Sequence, residues 1–217
     1  MTDWSAQAEA AQALRRLNRA VAGFAPDDDV LRTLARTADE LARRLESAPQ
    51  RLKVDDMEEL IALAADQGGW QRGAPVGERI EFDPLSPCGG RLHPSSIGLD
   101  MHRDSETSVI ARVTVDPMFQ GPPGRVHGGV VAMIVDEVMG TVNTVLDQRA
   151  FTARLTINLR APAPIGTPLT FRAWLHEVSA RKITILAEGH SDDGLFVEAD
   201  GLFVATGTEM DGPKAAS

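Results

Sequence analysis

The sequence predicts an α+β fold: an antiparallel sheet wrapped around one long buried helix, preceded by an N-terminal helical extension. Three observations predict it. Two amphipathic stripes lie within residues 1–48, one helix-length apolar run spans 127–146, and strand-like runs separated by turn residues flank that run on both sides.

The first stripe is Ala10, Leu14, Leu17, Val21 and Phe24, spaced by three and four residues, which is one face of a helix. Gly23 and Pro26 stop it. The second is Leu31, Leu34, Ala38, Leu41 and Leu45, opened by Asp27, Asp28 and Asp29 at the end where the helix dipole favours negative charge. Residues 1–48 are thus expected to form a helical hairpin. A weaker helix is expected over 56–65, closed by Gly68 and Gly69, and a loop rich in Pro, Gly and Ser over 73–96. The expected divisions are a helical extension over 1–72, a sheet domain over 73–210 and a tail over 211–217.

Past residue 96 the period changes from helical to two. Strands are expected over 97–102 and 107–115, the latter alternating Val109, Ala111, Val113 and Val115 against Ser108, Ile110, Arg112 and Thr114, with Asp104 and Ser105 as the turn. After the helix, strands are expected over 150–160, 167–178, 182–191 and 195–206. Pro162, Pro164 and Gly166, then Ser179 and Ala180, then Asp192, Asp193 and Gly194 mark the turns. Within the helix, Val130 to Val135 are consecutive apolar residues, so apolar side chains point all round the axis and the helix is expected to be buried. Asp136 is the anomaly there, because a buried carboxylate must be paired, wet or protonated.

A chain of 217 residues, 43% hydrophobic and 24% charged, holds one ordinary domain plus a further segment. Its net charge of -9 argues against a nucleic-acid partner. The single cysteine, Cys88, excludes an intrachain disulfide and a multi-cysteine metal site, and no metal or cofactor is expected. The N-terminus lacks the basic-then-apolar layout of a signal peptide, so a cytoplasmic location is expected. The most apolar run is interrupted by His127, Asp136, Glu137 and Asn143, so no membrane span is expected.

His127, Gly128 and Gly129 stand where the loop becomes the long helix, where backbone N–H groups lack intrahelical partners and the dipole is positive. Such a site can hold an oxyanion. The glycines could equally just allow close packing there. Asp136 could be a helix residue that reaches solvent or an arginine; Glu137, its acidic neighbour, projects about 100° away.

His127, Gly128 and Gly129, followed by Asp136 and then Thr152, in HGGVVAMIVDEVMG and TARLTINLRAPAPIG, resemble the hotdog-fold acyl-CoA thioesterases of the PaaI and THEM4-like branch. The resemblance runs from near Pro84 to Thr206. It implies a hotdog fold that hydrolyses an acyl-CoA thioester to free acid and coenzyme A. It further implies that the Gly128 N–H polarises the thioester carbonyl and that Asp136 is general base or nucleophile. Thr152 would position water, and His127 would orient the loop or touch the thioester. Gly129, Asn158, Arg160, Arg181 and Lys182 would bind substrate. Part of the family has an Asn before the His-Gly-Gly, where this chain has Gln120 and Gly121. These roles suit the chemistry, since a thiolate leaves readily and needs only an oxyanion donor and a carboxylate to activate water. A lone sheet would leave an edge unpaired, so a homodimer or dimer of dimers is expected. The alternatives are a non-catalytic acyl-CoA-binding or regulatory hotdog protein, and an interaction protein that works through its helical hairpin.

Overall fold

A computed structural model describes residues 4–50, 52–56, 58–60, 74–80 and 83–206. The period-two segments join into one antiparallel sheet of seven strands: β1 (Arg79–Ile80), β2 (Asp100–Ser105), β3 (Ser108–Thr114), β4 (Ala150–Leu159), β5 (Pro168–Ser179), β6 (Lys182–Ser191) and β7 (Gly194–Ala205), in the order β1-β2-β3-β5-β6-β7-β4. Alternation decides its faces. Val109, Ala111, Val113, Leu169, Phe171, Ala173, Ile183, Ile185, Ala187, Ala199 and Phe203 all point into one core, each at most 6% exposed. Each large aliphatic or aromatic group among them contributes about 1.5–3 kcal/mol of burial.

The long helix is α3 (Gly128–Val145), preceded in the chain by α1 (Trp4–Gly23) and α2 (Asp28–Glu46). α3 sets Val131, Ile134, Val135, Val138, Met139 and Val142 into the core. Gly201 on β7 makes room for this, since a Cβ there would lie 3.2 Å from the Met139 sulfur and 2.8 Å from the Phe203 ring. The expectation of a helix buried all round needs correction: Gly129 is exposed, and Ala132, Met133, Asp136 and Gly140 are only half-buried. One sheet covers one side of a cylinder, and within a single chain the Asp136 side stays open. By length and apolarity α3 resembles a bilayer span, but here it packs against β3, β4, β5 and β6.

The expected strands appear within a few residues of their predicted ends. The turn between β2 and β3 is at Glu106 and Thr107 instead of Asp104 and Ser105, because Asp104 is held in the sheet by Ser108 and Arg172. β1, inside the expected loop, was too short to show a period. The helical hairpin is corrected more substantially. α1 docks on the body through Arg15, which donates to the Arg91 and His93 carbonyls, and through an Arg19–Asp116 ion pair at 3.4 Å. α2 buries none of its residues, and Leu14, Val21, Leu41 and Leu45 remain 44–75% exposed, so the two stripes do not bury one another. The expected helix over 56–65 and the division at 73 fall largely outside the described residues, and the tail over 211–217 does so entirely.

Candidate functional site

α3 and β4 bring two of the predicted residues together. Thr152 donates its hydroxyl proton to Asp136 Oδ1 across 2.9 Å. The donor's position depends on an irregularity: the β4–β7 register slips between Thr152 and Arg154, a bulge that places an extra residue, Ala153, beside Thr152. Bulges re-aim side chains in this way. Asp136 is half-buried, so its carboxylate sits beside the sheet with a side open to solvent.

Glu137 is in a different environment. Ser86 donates its hydroxyl to Glu137 Oε1 while accepting from the Cys88 N–H at 3.0 Å, which ties the 83–99 strap to α3. Asp83, Gly89, Leu99 and Met101 line the same spot. Burial pushes the Glu137 carboxyl above the usual carboxylate range; the Ser86 hydroxyl partly opposes this, and Asp83 and Asp136 add to it. Burial also pushes the Cys88 thiol up, aided by Glu137 and Asp136, so Cys88 is a packed thiol and not a nucleophile. The strap satisfies Glu137 and leaves Asp136 as the carboxylate open to the outside.

At the other end of α3, His127 is the N-cap, its Nδ1 accepting from the Gly129 N–H at 3.0 Å. That bond occupies the Gly129 donor and fixes the imidazole with its proton on Nε2. The Gly128 N–H has no acceptor among the described residues. Gly128 lies against β4, where a Cβ would be 3.3 Å from Leu159 Cδ1. The preceding loop turns tightly: the His127 N–H reaches the Phe119 carbonyl at 3.0 Å, and a Cβ on Gly121 would come within 2.9 Å of the His127 Cα. Gln120 is exposed at the base of this loop, bridged to Val126.

The predicted substrate-binding residues divide between these two ends. Arg181 donates Nε to the Ala205 carbonyl at 3.0 Å, and Lys182 pairs in register with Val204, beside the Phe203 that faces Thr152. Arg160 lies at the Gly128 end in an ion pair with Glu198 at 2.5 Å. Asn158 pairs in register with Glu198, on the sheet face away from α3, in a shallow depression with Trp174, Glu188 and Asp200. It is not brought to the Asp136–Thr152 pair. Among the described residues no group of three or more His, Cys, Asp or Glu side chains gathers as a metal site.

One residue was passed over in the sequence except as a break in the apolar run. Asn143 is 3% exposed, and neither its Oδ1 nor its Nδ2 has a hydrogen-bond partner among the described residues. Leaving a buried polar group unsatisfied costs about 1–3 kcal/mol. The available signal was spacing, since Asn143 follows Asp136 by seven residues, two turns of one helix face.

Comparison with known proteins agrees with this arrangement. The Thioesterase superfamily model matches residues 123–198. Among curated relatives, acyl-coenzyme A thioesterase THEM4 of Xenopus laevis is 28% identical over 105 residues, 48% of this chain and 47% of its own. The THEM4 of Mus musculus is 34% identical over 88 residues, 40% of this chain and 38% of its own. The chain thus spans less than half the length of these relatives. A solved thioesterase superfamily protein is 28% identical and superposes with a TM-score of 0.72 over 91% of this chain and 90% of its own. The chain thus has the hotdog fold of that solved protein and, from the loop before α3 into β7, is similar to the Thioesterase superfamily.

Proposed function

We propose that the protein is an acyl-CoA thioesterase that splits an acyl-CoA into the free acid and coenzyme A. The observation that carries this reading is the Thr152–Asp136 bond, which holds one carboxylate oxygen and leaves the other to a water. Asp136 takes a proton from that water as its oxygen bonds to the thioester carbonyl carbon. The Gly128 N–H donates to the oxygen as it becomes an oxyanion, and collapse expels the coenzyme thiolate, which receives a proton. His127 keeps the loop in place by capping α3.

The site is shared between two subunits of a homodimer. Gly128 and Asp136 are eight residues apart on α3, about 12 Å along its axis, too far for one thioester carbonyl and its water. Two antiparallel α3 helices about a two-fold axis would set Gly128 of one chain beside Asp136 of the other. Arg181 and Lys182 then meet Arg160 of the second chain, and together they offer cations to the coenzyme phosphates. The open side of α3, and the edge strand β4 with Phe151 72% and Leu159 56% exposed, support this association. Steady-state hydrolysis across an acyl-CoA series, from acetyl to long-chain and aromatic acyl groups, tests the activity. Release of coenzyme A above the uncatalysed rate is expected, and none with any member would refute it.

A further inference from the structure

We propose that Asp116, held by Arg19 of α1, is a positioning residue for the oxyanion donor at Gly128, so that the N-terminal helix is a working part of the thioester site. The inference deepens the thioesterase reading and rests on it for the role of the Gly128 N–H. α1 meets the body along a row that its apolar stripe does not predict. Gln7, Ala11, Arg15 and Arg19 are spaced four apart, which sets them in line along one side of the helix. Gln7 donates to the Leu92 carbonyl at 3.5 Å, and Ala11 is buried. Arg15 donates to the Arg91 and His93 carbonyls at 3.0 and 2.8 Å, and Arg19 pairs with Asp116 at 3.4 Å. Leu14, Leu17 and Val21 of the stripe remain exposed.

Asp116 begins a short relay to the site. Its Oδ1 accepts from the Met118 N–H at 3.1 Å and its carbonyl from the Phe119 N–H at 2.9 Å, so it caps the single helical turn Pro117–Phe119 while Oδ2 faces Arg19. Phe119 packs against the core, and its carbonyl accepts from the His127 N–H at 3.0 Å. His127 in turn caps α3 through the Gly129 N–H, and Gly128 is the first residue of that helix. The Gly128 N–H is thus aimed by a turn whose start is fixed from α1. An oxyanion donor acts only when it lies about 2.7–3.1 Å from the developing charge, so slack in that turn costs turnover. Neither Asp116 nor Arg19 has to touch the substrate for this.

The test separates the two bonds of Asp116. Asp116→Asn keeps an oxygen for the cap and loses the ion pair, Arg19→Ala loses the ion pair alone, and Asp116→Ala loses both. With the acyl-CoA that wild type hydrolyses fastest, the first two should lower kcat about threefold and Asp116→Ala about tenfold, with KM near the wild-type value in all three. Combining Arg19→Ala with Asp116→Asn should be no worse than either alone, because both break one bond, and Arg19→Lys should retain most of the wild-type rate. Amide hydrogen exchange gives a readout free of turnover: in the three impaired variants residues 117–129 should exchange faster while β5 and β6 keep their wild-type rates. Wild-type kcat in Arg19→Ala and Asp116→Asn, or losses that multiply in the double variant, would overturn the proposal. So would exchange that rises evenly through the sheet, which would mean that Asp116 only stabilises the fold. If wild type hydrolyses no acyl-CoA, the thioesterase reading fails, and the exchange result alone decides whether α1 sets the loop. Should Asp116→Ala not fold, the two ion-pair variants and their combination decide.

Discussion

Asp136 and Glu137 are adjacent carboxylates with opposite fates, because a helix turns about 100° between them. One is held by Thr152 at an open face; the other is anchored to Ser86 beneath the strap. Asp136→Asn should retain the fold and lower kcat by about 10²-fold or more with little change in KM, as expected for loss of a general base. Activity within a few-fold of wild type would remove Asp136 from the mechanism. Glu137→Gln is expected to act on stability instead. Burial raises the folded-state pKa of Glu137, so the native protein holds that proton to higher pH than the unfolded chain does. Stability therefore falls as pH rises from the ordinary glutamate range through the raised value, and stays lower above it. The glutamine keeps an acceptor for Ser86, so the variant should melt higher than wild type at neutral pH and converge with it in acid. A difference in Tm that does not depend on pH would show that the carboxyl titrates normally.

Among the elements, β4 carries the most consequence. It is an edge strand of ten residues, and its exposed Phe151 and Leu159 are an uncovered apolar surface. Phe151→Asp should lower the mass measured by sedimentation equilibrium toward that of a single chain, since a charge on the edge opposes pairing. An unchanged mass would put the contact elsewhere. The strand was legible in the sequence as an alternating run, but its bulge at Ala153 was not. A bulge is a mismatch between partners, and β4 finds its partner β7 about 50 residues later. α1 and α2 were likewise legible from their stripes, whereas their placement was not. A stripe states that a face needs cover and is silent on what covers it. Arg15 finding two carbonyls of the 91–93 turn is a contact between residues 76 and 78 positions apart.

For the assembled molecule, the distance between Gly128 and Asp136 leads to a complementation experiment. Asp136→Asn and Gly128→Pro should each be inactive. The proline removes the Gly128 N–H at the first helical position, where proline is tolerated. Verified mixed dimers of the two should regain about half the activity per dimer of wild type, because one shared site carries both changes and the other neither. No recovery would mean that each site lies within one chain.

What was legible without coordinates is local. Period-two alternation, turn residues and the 127–146 apolar run specify strands and helix because each depends on residues a few positions apart. The His127–Gly129 motif and the Asp136 spacing belong to one helix and its cap, so they too could be read. The pairing of Asp136 with Thr152, the burial of Glu137 beneath Ser86 and the division of Arg160 from Arg181 depend on strand register and strap placement. So does the sealing of Asn143 away from water. Those join residues distant in sequence, and only packing of the sheet, helix and strap brings them within hydrogen-bond range.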